Sequence, residues 1–211
     1  MPIIYQQEVD ESTKLAIWQL NEEESFFNVP LQREISHPHK RKQHLAGRFL
    51  LTHLFPGFPL ELVKIADTRK PFLEDESYHF SISHCSDFAA AIVSRNRRVG
   101  IDIEVPGSKV EKIRHKFLHP GELQVISEIQ SNDLDQQRAL TTYWSCKEAV
   151  FKWWSYGGVD FSEMIRIDPV SLNSEGTLNG RFIKVNSSVP LQLHYKQFPE
   201  ICLAWVATLT S

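Results

Sequence analysis

Cysteine is scarce in this chain: Cys85, Cys146 and Cys202 are widely spaced and form no CxxC pair. That pattern argues against a disulfide framework and against a cysteine-based zinc site, and it favours a reducing compartment. Long apolar runs are missing too. No stretch of about 18 residues reads as a membrane helix, and no N-terminal segment reads as a signal peptide. Strong net charge is also absent, since 23 Lys and Arg against 26 Asp and Glu leave a formal charge of −3. A nucleic-acid partner is therefore not expected, and any basic site has to be local. Neither a Gly-x-x-x-x-Gly-Lys loop nor a Gly-x-Gly-x-x-Gly fingerprint occurs, so nucleoside triphosphate and dinucleotide sites lack support. The expectation is a cytoplasmic protein with no membrane association.

What is present is a well-stocked core. Hydrophobic residues fill 42% of 211 positions, with 13 Phe and 5 Trp, enough for one large domain or two small ones. Ile3-Ile4-Tyr5 reads as a first strand, and Ser12 or Thr13 as the cap of a helix through Ile17, Trp18 and Leu20. A basic helix is expected over residues 38–54, ended by Pro56-Gly57. Residues 67–72 read as a turn. Residues 78–83, 88–94 and 99–104 read as successive strands, with Arg95-Asn96-Arg97 as a hairpin connection. Val105-Pro106-Gly107-Ser108 then breaks the pattern. Helices follow near 110–117, after Pro120, and over 133–154, the last closed by Gly157-Gly158. Strands return near 164–167, 181–185, 191–195 and 201–207. Strand, helices and strands thus occur in both halves, so the fold class is α+β, with lobes over 1–104 and 105–211.

Two segments carry the chemistry. In Gly100-Ile101-Asp102-Ile103-Glu104, residues i and i+2 of a strand share a face, so Asp102 and Glu104 project together. Asp102 is expected to be solvent-facing and to add little to the core. In the run from Trp144 to Lys152, read as helix, Glu148 and Lys152 sit one turn apart on one face. Three carboxylates and a lysine that can converge point to a hard cation gripping a phosphate ester. Magnesium suits such a set, because it takes one or two protein carboxylates and completes its shell with water and phosphate oxygens.

Phe80-Ser81-Ile82-Ser83-His84, Val99 to Glu104, and Trp144-x-x-Lys147-Glu148-Ala149-x-x-x-Lys152, in that order, resemble the 4′-phosphopantetheinyl transferase superfamily. Length and the two-lobed pattern look like its larger, monomeric Sfp-type branch. The resemblance implies two similar α+β lobes related by a pseudo-twofold, with coenzyme A in the cleft between them. It implies transfer of the phosphopantetheine arm to a serine of an apo acyl or peptidyl carrier protein, releasing adenosine 3′,5′-bisphosphate. Asp102, Glu104 and Glu148 would hold magnesium, or manganese in its place. Glu148 is also a candidate base, although a metal-bound carboxylate has a depressed pKa and is a poor one. Lys152 would contact the phosphate under attack. Lys70, Ser83 and His84, with Arg41 and Arg48 of the basic helix, would bind coenzyme A.

Lys109, Lys112, Arg114 and Lys116 form a basic cluster that is either a solvated face or a dock for an acidic carrier. Whether the acceptor serves fatty-acid, polyketide or nonribosomal-peptide synthesis stays open. Two other readings use the same residues: a metal-dependent phosphohydrolase with water as nucleophile, and a non-catalytic coenzyme A-binding scaffold.

Overall fold

The computed structural model describes residues 2–32, 34–128, 133–168 and 172–210. β1 (Ile3–Asp10) and β2 (Thr13–Gln19) form a hairpin. Asp10 closes its turn by accepting from the backbone N–H and the hydroxyl of Ser12. β2 stands where the sequence predicts a helix. Its Leu15 and Ile17 enter one buried face and its Ala16 and Trp18 the other. With both faces buried, the strand has no polar side to reveal its period of two, and such an apolar run reads equally well as helix.

α1 (Pro38–Leu54) occupies its predicted span. β3 (Lys64–Ile65) and β4 (Pro71–Phe72) pair as a small ribbon around the predicted turn. β5 (His79–Cys85), β6 (Phe88–Ser94) and β7 (Arg97–Glu104) follow the three expected strands. The link at Arg95-Asn96 is not a hairpin, however. β6 pairs with β2 and β5, whereas β7 pairs with β11 (Cys202–Leu209) at the far end of the chain. Between them lie α2 (Ser108–Phe117), α3 (Pro120–Ser127), α4 (Asp133–Trp154), β8 (Ile165–Ile167), β9 (Glu175–Lys184) and β10 (Ser187–Gln197). α4 ends at Trp154, and the left-handed φ of 75° at Ser155 stops it ahead of Gly157 and Gly158.

Among the described residues the strands form an antiparallel sheet ordered β1-β2-β6-β5 and another ordered β7-β11-β10-β9-β8, besides the β3-β4 ribbon. β7, grouped by sequence with residues 1–104, therefore hydrogen-bonds within the second sheet. The two sheets face each other over Leu15, Ile17, Ile92, Ile101, Ile103 and Leu203. α1 covers the other face of the first sheet and α4 the other face of the second. The sheets also meet at their edges, because Ser81 and Ser83 of β5 accept through Oγ from the backbone N–H groups of Ile101 and Ile103, at 3.2 and 3.3 Å. Serine hydroxyls thus satisfy donors on an edge strand that no neighbouring backbone reaches.

Gly100 sets how closely α4 lies on β7. A Cβ there would come within 2.0 Å of the Ala149 carbonyl oxygen and 2.7 Å of the Trp153 nitrogen. Both are helix backbone and cannot step aside. Gly100→Ala should therefore cost about 3 kcal/mol or more, read as a lower urea midpoint at an unchanged m-value. A loss under about 1 kcal/mol would mean that α4 is free to slide on the sheet.

Candidate active site

Alternation along β7 decides which side chains reach the site. Ile101 and Ile103 are used in the core between the sheets, which turns Asp102 and Glu104 towards α4. α4 presents Glu148 and Lys152 one turn apart. Lys152 Nζ donates to Asp102 Oδ1 at 2.7 Å and to Ser83 Oγ at 2.8 Å. Ser83 Oγ donates in turn to Asp102 Oδ1 at 2.8 Å. Asp102 is only 2% exposed, so it is a buried group and not the solvent-facing one expected, because α4 covers this face of β7. Its Oδ2 is buried without a hydrogen-bond partner. Glu104 accepts from Cys85 Sγ at 3.1 Å and from Trp144 Nε1 at 3.4 Å, one donor to each oxygen. No hydrogen bond to a described residue holds Glu148.

Three carboxylates here face one ammonium. Burial pushes Glu148 up to about 7, Asp102 and Glu104 add to the rise, and Lys152 opposes it. Glu104 is also raised, by burial first and then by Asp102. Burial and the Glu104 carboxylate push the Cys85 thiol up to about 12, so it keeps its proton and acts as a donor. Burial draws His84 down to about 4, helped by His44 and Lys152. Its neutral ring packs edge-on against His44 with centroids 5.0 Å apart.

As arranged, no three His, Cys, Asp or Glu side chains among the described residues share one coordination sphere. Lys152 sits on Asp102, while Cys85 and Trp144 sit on Glu104. Carboxylates outnumber positive charge, and one buried carboxylate oxygen is left unsatisfied, so the residue types suit a hard divalent cation while their arrangement does not gather them around one.

The 4′-phosphopantetheinyl transferase superfamily matches this chain over residues 98–206, from the start of β7 into β11. The chain belongs to that superfamily. It is 30% identical over 126 residues to 4′-phosphopantetheinyl transferase HetI of Nostoc sp., covering 54% of this chain and 52% of that one. It is 36% identical over 115 residues to enterobactin synthase component D of Salmonella austin, covering 54% and 47%. A third relative, the L-aminoadipate-semialdehyde dehydrogenase-phosphopantetheinyl transferase of Candida glabrata, is 32% identical over 117 residues, covering 52% and 44%. The chain spans about half the length of the curated relatives it matches.

In this superfamily member the matched stretch holds the clustered carboxylates and Lys152. The residues expected to bind coenzyme A lie before it. Ser83 joins the cluster directly, and His84 feels the charges of Lys152 and Asp102. Lys70 reaches the end of α4, where Nζ donates to the Lys152 carbonyl at 2.7 Å and to Ser155 Oγ. Burial and nearby Arg98 draw it down to about 8. Arg41 and Arg48 are not brought in. Arg41 Nε donates to Glu24 at 2.6 Å, and Arg48 is buried on α1 with Nη2 on the Leu60 carbonyl at 3.2 Å. Lys109, Lys112, Arg114 and Lys116 are exposed on α2.

Sequence reasoning missed the anchor beneath the site. Lys147 is fully buried, with Nζ 2.6–3.0 Å from Glu122 Oε2 and the carbonyls of Phe117, Phe161 and Ile165. Glu122 also accepts from the backbone N–H groups of His119 and Ile167. This one ion pair ties the end of α2, the start of α3 and β8 to α4. A signal was present, since Lys147 lies in the apolar row of α4 with Leu140, Tyr143 and Val150. Lys147→Met leaves Glu122 buried and unpaired, so unfolding in urea should show a loss of about 3–5 kcal/mol.

Glu148 should make stability depend on pH in the metal-free protein. Its folded value, about 7, lies above its ordinary 4.5, so the folded state binds its proton more tightly than the unfolded chain. That contribution is intact below about pH 4.5 and is lost as pH rises through about 7. Glu148→Gln removes the loss, so with chelator present the variant should gain on the parent across this window, by up to about 3 kcal/mol above pH 7. A difference that stays flat with pH would contradict the raised value.

Proposed function

We propose that this chain transfers the 4′-phosphopantetheine arm of coenzyme A to a serine hydroxyl of an apo acyl or peptidyl carrier protein. The observation that carries this reading is the superfamily match over 98–206, which contains the carboxylate–lysine cluster of Asp102, Glu104, Glu148 and Lys152. The names of relatives support it: two are called phosphopantetheinyl transferases and a third is a component of enterobactin synthase. The proposed architecture is the Sfp-type one, a monomer whose two lobes divide at the β6–β7 link, near residue 96, with coenzyme A in the cleft between them.

In this reaction the serine oxygen bonds to the phosphorus that carries the pantetheine. The bond from that phosphorus to adenosine 3′,5′-bisphosphate breaks, and the serine proton passes to a base. Glu148, held at about 7 in the metal-free site by burial and the neighbouring carboxylates, is the candidate base to the extent that it does not ligate the metal. Lys152 supplies positive charge at the phosphate under attack. Neutral His84 would bind the coenzyme A phosphates, joined by Ser83 and Lys70 on giving up a present partner, Asp102 for the one and the end of α4 for the other; Arg41 and Arg48 are held away from the cluster. Asp102 and Glu104, with Glu148 in a mixed role, would hold magnesium or manganese, which when bound screens the diphosphate and favours departure of the leaving oxygen. The exposed cations Lys112, Arg114 and Lys116 would draw in an acidic carrier.

The test is incubation with coenzyme A, magnesium and several apo carriers in parallel, read by the intact mass of each carrier. The parent protein should add the phosphopantetheine arm to at least one of them. Asp102→Asn should slow transfer at least about 100-fold with its circular dichroism unchanged. Transfer by Asp102→Asn at the parental rate would end the site assignment. Loss of coenzyme A without any carrier would instead favour hydrolysis.

A further inference from the structure

Three residues on one face of β7 meet α4, and each meets it differently. At Gly100 the backbones touch, since a Cβ there would lie 2.0 Å from the Ala149 carbonyl oxygen. Two residues further on, Asp102 Oδ1 accepts from Lys152 Nζ at 2.7 Å. Two residues back, Arg98 Nε donates to the Trp153 carbonyl at 2.7 Å and Nη2 to the Trp154 carbonyl. The guanidinium is itself hemmed in, with the Trp153, Trp154 and Tyr156 rings 5.2, 5.6 and 5.0 Å away.

Helix geometry explains why adjacent residues of α4 reach in opposite directions. Side chains lean towards the N-terminus of a helix, whereas its carbonyls point towards the C-terminus and the last four lack partners within it. Lys152 therefore sends its ammonium back to Asp102, while the carbonyls of Trp153 and Trp154 run on to Arg98. Asp102 and Arg98 are four residues apart on the strand, about 13 Å at about 3.3 Å per residue. They grip α4 on either side of the contact at Gly100. Without Arg98 that contact remains as a pivot, and the last turn of the helix can rock about it. A guanidinium suits the task, because its rigid fork serves two successive carbonyls at once. What is held steady matters for chemistry: Lys152 gives two of its three N–H donors to Asp102 and Ser83, and these fix where the third one points.

We propose that Arg98 is a positioning residue for Lys152: by pinning the end of α4 to β7, it sets the direction in which that ammonium offers its third donor to the phosphate under attack. The inference rests on the transfer reaction proposed above and adds the group that aims its cation. The loss of Arg98 should fall on the chemical step and not on coenzyme A binding, since a misplacement of about 1 Å at a reacting group can cost about 100-fold in rate.

The experiment measures kcat, and KM for coenzyme A, with an apo carrier that the parent modifies, for Arg98→Met, Lys152→Met and the double variant. Arg98→Met should lower kcat about 10–100-fold and leave KM within about threefold of the parent. Introduced into Lys152→Met, the same change should lower kcat less than about threefold, because the group it acts through is gone. Arg98→Lys keeps the charge but puts one ammonium in place of the fork, and its kcat should fall between those of the parent and Arg98→Met. Thermal melts identify any variant unfolded at the assay temperature. If Arg98→Met is one, Arg98→Lys takes its place in the cycle and is judged by the same outcomes. A parental kcat in the folded Arg98 variant overturns the proposal. So does an equal loss in both backgrounds, which would mark a general weakening of the fold. A raised KM at parental kcat overturns it as well, and would make Arg98 a contact for coenzyme A. A parent that modifies no carrier ends the transfer reading itself, and this inference with it.

Discussion

The structure gathers more negative charge than positive in one covered place. Asp102 and Glu104 come from one face of β7, Glu148 comes from α4, and Lys152 is the cation among them. Gly100 enforces the crowding, because it lets the α4 backbone rest on the strand where any Cβ would collide. The consequence appears in the groups themselves: Glu148 and Glu104 both hold protons more tightly than carboxylates in water. An arrangement of this kind costs stability in the resting protein and is retained where a ligand of opposite charge repays it.

Two lysines five residues apart on α4 show how the fold separates support from chemistry. Lys147 is 0% exposed and gives its donors to Glu122 and to three backbone carbonyls, so nothing else can reach it. Lys152 remains 24% exposed and has Asp102 and Ser83 as partners. Only the second can exchange a protein partner for a substrate oxygen. The first holds α2, α3 and β8 against the helix and so lets α4 carry strained groups without shifting. The last turn of α4 is secured from the opposite direction, where Lys70 and Arg98 donate to its carbonyls. Cations at a helix C-terminus also offset the dipole there.

Much of this could be read from residue order because the signals were local. The α1 helix, bracketed by Pro38 and Pro56-Gly57, announces both its ends, and the alternation of Gly100 to Glu104 places two acids on one face. β2 was illegible as a strand because Leu15 and Ile17 on one side and Ala16 and Trp18 on the other are all buried. The short link from Ser94 to Arg97 carries hairpin chemistry, yet it joins two sheets; nothing in a turn says which partner each strand will choose. Alternation likewise shows that Asp102 leaves the inter-sheet core, but not that a helix covers it on arrival. Arg48 looks like its basic neighbours in the sequence, and only packing reveals that it turns inward to the Leu60 carbonyl.

Ser83 makes the site and the seam between the sheets one structure. Its hydroxyl donates to Asp102, and it accepts from Lys152 and from the Ile103 backbone N–H. One donor and two lone pairs are all a hydroxyl has, so the residue is saturated. Lys152 gives two of its three N–H donors to Asp102 and Ser83, so an anion can take the third as it stands, or a second one by displacing Asp102. If Asp102 yields, Oδ1 is released beside Oδ2, which already lacks a partner, and both oxygens become open to a cation. A cation on Asp102 in turn repels Lys152 towards the anion. Each charge makes room for the other, and the coupling has to be mutual.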